Sequence, residues 1–311
     1  VMLITLCATS VSAGWLPTRP YAATPPAKAL GTSTSRAGVC LQCAEPLPFT
    51  DTLARIAAVA ADNPSQRAAI ASLFPPAELP LRNAASRTDG YWAFIAKKEE
   101  PPQGLTYGEF PLGFFSVLVD RAAVVAGFGV EREDRTFADL GSGAGRLVIW
   151  AAATHAWKLC RGVELLPKLH ATAVAKLEDA QQIPDLLRSP VAFDEGSWDD
   201  EGLGLSQVDV AFIYTTAIPA DEEGVLQDLT KSLTPQLRRG CVVCTTDYTL
   251  GVGFELVESL EGPNDGAGGV STGYIHVKTS PGNGDEDNAK KEAVVQSFED
   301  MEADLLKELG G

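Results

Sequence analysis

The chain has 311 residues, 45% of them hydrophobic, enough for one large domain or two small ones around a substantial core. Its 25 lysines and arginines face 41 aspartates and glutamates, and the formal net charge of -16 argues against a broad nucleic-acid-binding face while leaving room for a local basic patch.

The first 44 residues differ from the rest. Val1 to Val11 is apolar, Val11 to Gly14 is small, and Trp15 to Gly38 is mostly Ala, Thr, Ser and Pro with Arg19, Lys28 and Arg36; no acid occurs before Glu45. The apolar run is too short to span a membrane and reads as the core of a secretory signal cleaved after Ala13 or Gly14. With the acid-free, hydroxyl-rich stretch beginning near Trp15, it resembles the two-part presequence of algae with complex plastids, which implies an organellar address. A disordered N-terminal extension is the plainer reading. The missing n-region lysine and the start at Val1 lead us to expect a truncated or misassigned beginning.

From Pro46 to Gln103 the pattern is helical and broken by prolines. Leu53, Ile56, Ala57 and Ala60 fall on one helical face, Ala68, Ile70 and Leu73 continue a second helix, and Ala84 to Lys98 forms a third apolar segment with Tyr91, Trp92, Phe94 and Ile95. A helical lid over residues 45–103 is expected. In Leu105 to Ala126, Phe114, Phe115, Leu118, Val119 and Ala122 recur at helical spacing and predict core packing. Tyr107 and Glu109 precede that helix. A ring and a carboxylate in one loop suit a sulfonium and an ammonium, although a tyrosine anchoring the helix entry beside an exposed glutamate would look the same.

Phe137 to Glu164 organises the remainder. It reads as a buried strand, a turn with glycines at 141, 143 and 145, a helix over Arg146 to Ala156, a parallel strand over Lys158 to Val163, and Glu164 at that strand's carboxyl edge. Dinucleotides and S-adenosylmethionine both use such a unit. Here Asp139 stands two residues before Gly141, and the spacing is GxGxG instead of GxGxxG. A carboxylate at that point suits the ammonium of S-adenosylmethionine better than a pyrophosphate. Glu164 would accept ribose hydroxyls in either case.

Taken together, TYGEF, the helix after it, FADLGSGAGRLVIWAAA and RGVE resemble the catalytic domain of the disruptor-of-telomeric-silencing family, class I methyltransferases that modify a lysine on the nucleosome core. The resemblance covers about Leu105 to Thr279. It implies an α/β fold, a Rossmann-like doubly wound sheet with a terminal antiparallel hairpin, here behind an N-terminal helical extension. It also implies S-adenosyl-L-methionine as cofactor, with Tyr107 and Glu109 touching the methionine part, Asp139, Gly141 and Gly143 forming the cofactor turn, and Glu164 as the ribose acid.

Downstream, Pro167 opens a helix ending before Pro184, and Val191 to Phe193 is the next strand. The resemblance implies an acid for the adenine amino group at its end, Asp194 ahead of Glu195, with an aromatic neighbour over the ring. Val208 to Ile213 is an apolar strand. Just past it, where the family keeps an asparagine pair and a later aromatic, this chain has Tyr214, Thr215 and Ile218, so the candidate acceptor-side residues are Tyr214 and Thr215. Leu226 to Leu237 predicts a helix and Cys241 to Thr245 a strand. Phe254 to Leu260 and Tyr274 to Thr279 predict a hairpin joined by a Gly-rich loop, Gly262 to Gly273. The methyltransferase domain is thus expected over residues 104–280, followed by a linker and an acidic helix over 281–311.

Two Cys-x-x-Cys pairs, Cys40 with Cys43 and Cys241 with Cys244, would suffice for one zinc, but the second pair sits on a predicted strand, where residues three apart face opposite ways. No metal is expected, and His155, His170 and His276 read as surface or packing residues. The expected activity is S-adenosylmethionine-dependent methyl transfer, at family level to a histone-type protein lysine. The alternatives are a cofactor-binding module without catalysis, a methyltransferase of another organellar protein or small molecule, and a nicotinamide dehydrogenase. The partner expected is the methyl acceptor, with neither a strong nucleic-acid surface nor a membrane span, in a plastid or other organelle or, by family analogy, the nucleus.

Overall fold

The computed structural model describes residues 48–102, 104–264 and 269–282. The presequence, the Cys40–Cys43 pair and the helix expected at the C-terminal end lie outside the described residues.

Two helices, α1 (Phe49–Asp62) and α2 (Pro64–Leu73), come first. The inward face of α1 is Thr52, Ile56 and Val59, while Leu53, placed inward by its spacing, is 40% exposed. The orientation follows from Gly113 opposite, where a Cβ would come within 2.6 Å of Ile56. Ile70, Leu73 and Phe74 enter the main core, so the second helix is built into the domain. The third apolar segment is not one helix but α3 (Leu79–Arg87), a π-helical turn over Thr88–Trp92, and α4 (Ala93–Lys97). Tyr91, Trp92 and Ile95 on it are exposed.

After α5 (Leu112–Val125) the chain alternates: β1 (Thr136–Leu140), α6 (Arg146–Thr154), β2 (Leu159–Glu164), α7 (Pro167–Gln181), β3 (Val191–Glu195), β4 (Val210–Phe212), α8 (Gln227–Gln236), β5 (Val242–Thr246), then β6 (Phe254–Asn264) and β7 (Gly269–Lys278). The sheet order is β3-β2-β1-β4-β5-β7-β6, with the first five parallel and β7 antiparallel to both β5 and β6. Strand order reverses between β1 and β4, so the switch-point crevice of an open α/β sheet falls beside the carboxyl end of β1. This is the doubly wound sheet with a terminal antiparallel pair expected from the sequence.

The closing strands are longer than expected, and most of the presumed Gly-rich loop is strand. Gly262 and Gly273 serve helix packing: a Cβ on the first would come within 2.5 Å of the Phe114 ring, and on the second within 2.3 Å of Leu118. Both partners are on α5. One face of the sheet buries Phe137, Phe212 and Cys244 beneath α5 and α6, the other Ala138, Ile213 and Cys241 with Leu229 and Leu233 of α8. Cys241 and Cys244 are therefore on opposite faces, and among the described residues there is no group of three or more His, Cys, Asp and Glu that could hold a metal ion. No helix among the described residues is long and apolar enough to cross a membrane.

Candidate functional site

The crevice beside the carboxyl end of β1 is lined by the loop over residues 104–110, the turn after β1, the ends of β2 and β4, and residues 196–198 after β3. Backbone constraints fix its floor. Gly141, Gly143 and Gly145 have φ of 83°, 55° and 81°, in the left-handed region that side chains with a Cβ rarely adopt. Gly141 and Ser142 donate their N–H groups to the Val163 carbonyl at 2.8 and 3.0 Å, which ties the turn to β2.

Glu164 braces the same turn. Its Oε2 accepts the Gly143 N–H at 2.7 Å and its Oε1 the Leu166 N–H at 2.8 Å, with the residue 6% exposed. Burial pushes its carboxyl up, opposed by those N–H groups. Asp139 is 2% exposed, and its carboxyl is pushed up to about 8, by burial first and by the neighbouring Glu164 second.

Tyr107 lies over the turn: a Cβ on Gly143 would come within 2.5 Å of its ring. Its hydroxyl donates to Glu109 Oε1 at 3.0 Å, and burial together with that carboxylate raises the phenol well above its usual range. Arg82 of α3 also donates to Glu109 Oε1, at 2.8 Å from Nε. The loop backbone is held by Ser86, whose Oγ accepts the Tyr107 N–H at 3.1 Å. Arg146, the first residue of α6, lines the crevice and donates to the Phe110 carbonyl at 3.1 Å. Tyr107, Glu109, Asp139, Gly141, Gly143 and Glu164 are thus brought together in one crevice.

Asp194 is not part of this group. It pairs with Arg161 of β2 at 2.8 Å and does not line the crevice. The reason is the pleat together with the turn after β3: Asp194 lies beside Val163 in register, and the chain then bends as the Gly196 N–H donates to the Glu164 carbonyl at 3.0 Å. That bend delivers Ser197 and Trp198 to the crevice instead, with the Trp198 ring 3.7 Å from where a Gly141 Cβ would stand.

At the other end, Tyr214 and Ile218 face Gly104, Leu105 and Thr106. The Tyr214 ring packs on Phe110 with centroids 5.2 Å apart, and no hydrogen bond engages its hydroxyl among the described residues. Thr215 is fully buried and does not line the crevice. Its hydroxyl donates to the Thr246 carbonyl and its N–H donates to Thr246 Oγ1 at 3.0 Å, so it anchors the loop to β5.

The donor set fits a zwitterionic amino acid, a ribose and an adenine: carboxylates at Asp139, Glu109 and Glu164, a cation at Arg146, and rings at Tyr107 and Trp198. It does not suit a pyrophosphate, because the Gly143 N–H that would meet one is already engaged by Glu164.

Sheet order and crevice define a class I S-adenosylmethionine-dependent methyltransferase. The model of the family described as "Histone methylation protein DOT1" matches residues 98–197, about a third of the chain, and over that stretch the chain resembles a DOT1 methyltransferase. No curated protein matches it. Among solved structures it is similar to an RNA methyltransferase from Salinibacter ruber in complex with S-adenosyl-L-homocysteine, at 26% identity over 53% of this chain and 91% of that one, TM-score 0.37. It is also similar to the rRNA methyltransferase aviRa from Streptomyces viridochromogenes, at 16% identity over 54% and 85%, TM-score 0.41. A third is magnesium protoporphyrin IX methyltransferase from Synechocystis PCC 6803 with bound SAM, at 14% identity over 64% and 97%, TM-score 0.39.

Proposed function

We propose that the protein is a protein-lysine N-methyltransferase acting on an acceptor other than the nucleosome, in an organelle. S-adenosylmethionine supplies an electrophilic methyl group on a sulfonium. This chain's residues hold the cofactor and present the amine. In this reading Glu164 accepts the ribose hydroxyls, Asp139 and Glu109 meet the ammonium, Arg146 meets the carboxylate, and Ser197 with Trp198 takes the adenine that Asp194 had been expected to bind.

The observation that carries the acceptor assignment is the composition of the crevice's other end. Leu105, Ile218 and the Tyr214 ring are apolar walls, and the Tyr214 hydroxyl is a polar group left free there. Apolar surroundings disfavour an ammonium and so favour the neutral amine that must attack. The Tyr214 oxygen can accept an N–H from that amine and orient it. The match to a histone methylation family supports lysine, while the net charge of -16 speaks against docking on DNA. The acid-poor N-terminal 44 residues support the organellar address.

The test is incubation of the purified chain with labelled S-adenosylmethionine and separate organellar and nuclear fractions, followed by mass spectrometry. Methyl-lysine on an organellar protein is expected. Label in RNA or a small molecule would refute the lysine assignment, and S-adenosylhomocysteine binding without any labelled product would indicate a module that has lost catalysis. A fluorescent fusion of residues 1–44 that stayed cytosolic would remove the organellar address.

A further inference from the structure

Resting on that cofactor reading, we propose that Arg82 is a positioning residue for the amino-acid end of S-adenosylmethionine, which makes helix α3, outside the family-matched residues 98–197, part of cofactor recognition. Arg82 does not line the crevice; Glu109 and Arg146 do. Arg82 is 4% exposed, and its Nε and Nη2 stand 2.8 and 2.7 Å from Glu109 Oε1. With the Tyr107 hydroxyl at 3.0 Å, that one oxygen is fully engaged.

Glu109 Oε2 is in a different state. Arg146 Nε stands 3.8 Å from it, too long for a hydrogen bond. The carboxylate therefore offers a single free acceptor atom beside a crevice-lining guanidinium, a pair of opposite charges matching the ammonium and carboxylate of a free amino acid. Arg82 separates the two: without its grip, Glu109 can turn and close on Arg146, and each would neutralise the other.

Arg82 is itself held at some energetic cost. Its Nη1 is buried with no hydrogen-bond partner and only Glu78 at 3.7 Å, and its guanidinium lies 5.9 Å from the Phe74 ring centroid. A buried guanidinium with an unbonded N–H costs the fold free energy, so its position calls for an explanation other than stability. The turns before and after α3 are pinned to α7, the later one through Asp89, which accepts the Lys168 N–H at 2.8 Å and its Nζ at 2.6 Å, and the earlier one through Glu78 and Lys176 at 3.3 Å.

The experiment is calorimetric titration of the full chain and its variants with S-adenosylhomocysteine and with 5′-methylthioadenosine, which has the nucleoside and sulfur but no amino-acid end. Arg82→Met should weaken S-adenosylhomocysteine about tenfold or more and leave methylthioadenosine within about twofold, with Arg82→Lys restoring part of the loss. Equal weakening of both ligands, or no change in either, would overturn the proposal. If Arg82→Met does not fold, Arg82→Lys and Glu109→Gln read the same selectivity, and loss on both ligands there overturns it equally. A wild-type chain that bound neither ligand would instead overturn the cofactor reading beneath it.

Discussion

Around Gly143 the crevice wall is backbone: a left-handed turn, two N–H groups on the Val163 carbonyl, and a buried glutamate tying one strand end to the other. Around Tyr214 the wall is side chains, a ring on Phe110 and a loop pinned from behind by Thr215 and by Thr216, whose hydroxyl donates to Asp247 at 2.5 Å. A backbone-built surface has few ways to change without losing its fold. A side-chain surface can be rebuilt residue by residue while the strand beneath it stays in place. The Gly143 end thus carries the groups that the resemblance implies, Asp194 excepted, whereas the Tyr214 end carries Tyr214, Thr215 and Ile218 where the resembled pattern has polar and aromatic residues.

The sharpest way to break that contrast is Gly143→Val. It places a β-branched residue at φ 55° and drives its Cβ into the Tyr107 ring, so S-adenosylhomocysteine affinity should fall by on the order of 100-fold or more in calorimetry, while a thermal melt shows the domain still cooperative. Glu164→Ala follows. It removes the proposed ribose acceptor and leaves the Gly143 and Leu166 N–H groups unpaired, for an expected loss of about 1 to 3 kcal/mol in cofactor binding. If both variants bound as wild type, the cofactor would lie elsewhere.

Asp139 gives a smaller effect with a definite sign. Its folded pKa, ligand-free, is about 8, and an ammonium beside it must lower that value, so binding releases a proton. Affinity for S-adenosylhomocysteine should therefore rise from pH 6 to about 8 and then level off, by less than about tenfold per pH unit, and Asp139→Asn should flatten the profile. The same shift acts on folding. Because the folded value lies above the ordinary aspartate value of 3.8, the unfolded chain ionises first, and ligand-free stability drawn from this group is lost as pH rises from about 4 to 8. The difference in melting temperature between wild type and Asp139→Asn should change in that window.

What could be read in the sequence was local. The glycine turn, the helix after it and the acid at the next strand end sit within 28 consecutive residues, Phe137 to Glu164, and their spacing is itself the geometry. Asp194 was legible as an acid at a strand end but not as a partner of Arg161, since the pairing depends on register between β2 and β3. Trp198 needed the bend at Gly196. Gly262 and Gly273 look like loop residues in any linear reading, and only α5 lying across the hairpin gives them another purpose. Arg82 lies 27 residues before Glu109 with no pattern joining them. Arg146 was the nearer miss: it follows GxGxG directly, at the start of α6, and lines the crevice.

The acceptor end yields the smallest effects and the cleanest separation. Tyr214→Phe removes a hydroxyl that bonds nothing among the described residues, so neither stability nor S-adenosylhomocysteine affinity should move by more than about 0.5 kcal/mol. If that oxygen orients the amine, turnover on the acceptor from the methylation screen should fall about tenfold at unchanged cofactor affinity. Thr215→Val should do the reverse. It strips the buried bond to Thr246 at nearly constant volume and leaves that carbonyl and the Thr246 N–H short of a partner, so unfolding should become easier by about 1 to 2 kcal/mol, while any loss of turnover should follow the fraction unfolded. A Tyr214→Phe enzyme with full turnover would move orientation of the nucleophile to a backbone group or to Thr106 across the crevice, and a Thr215→Val enzyme that melted normally but failed to turn over would restore Thr215 to the chemistry.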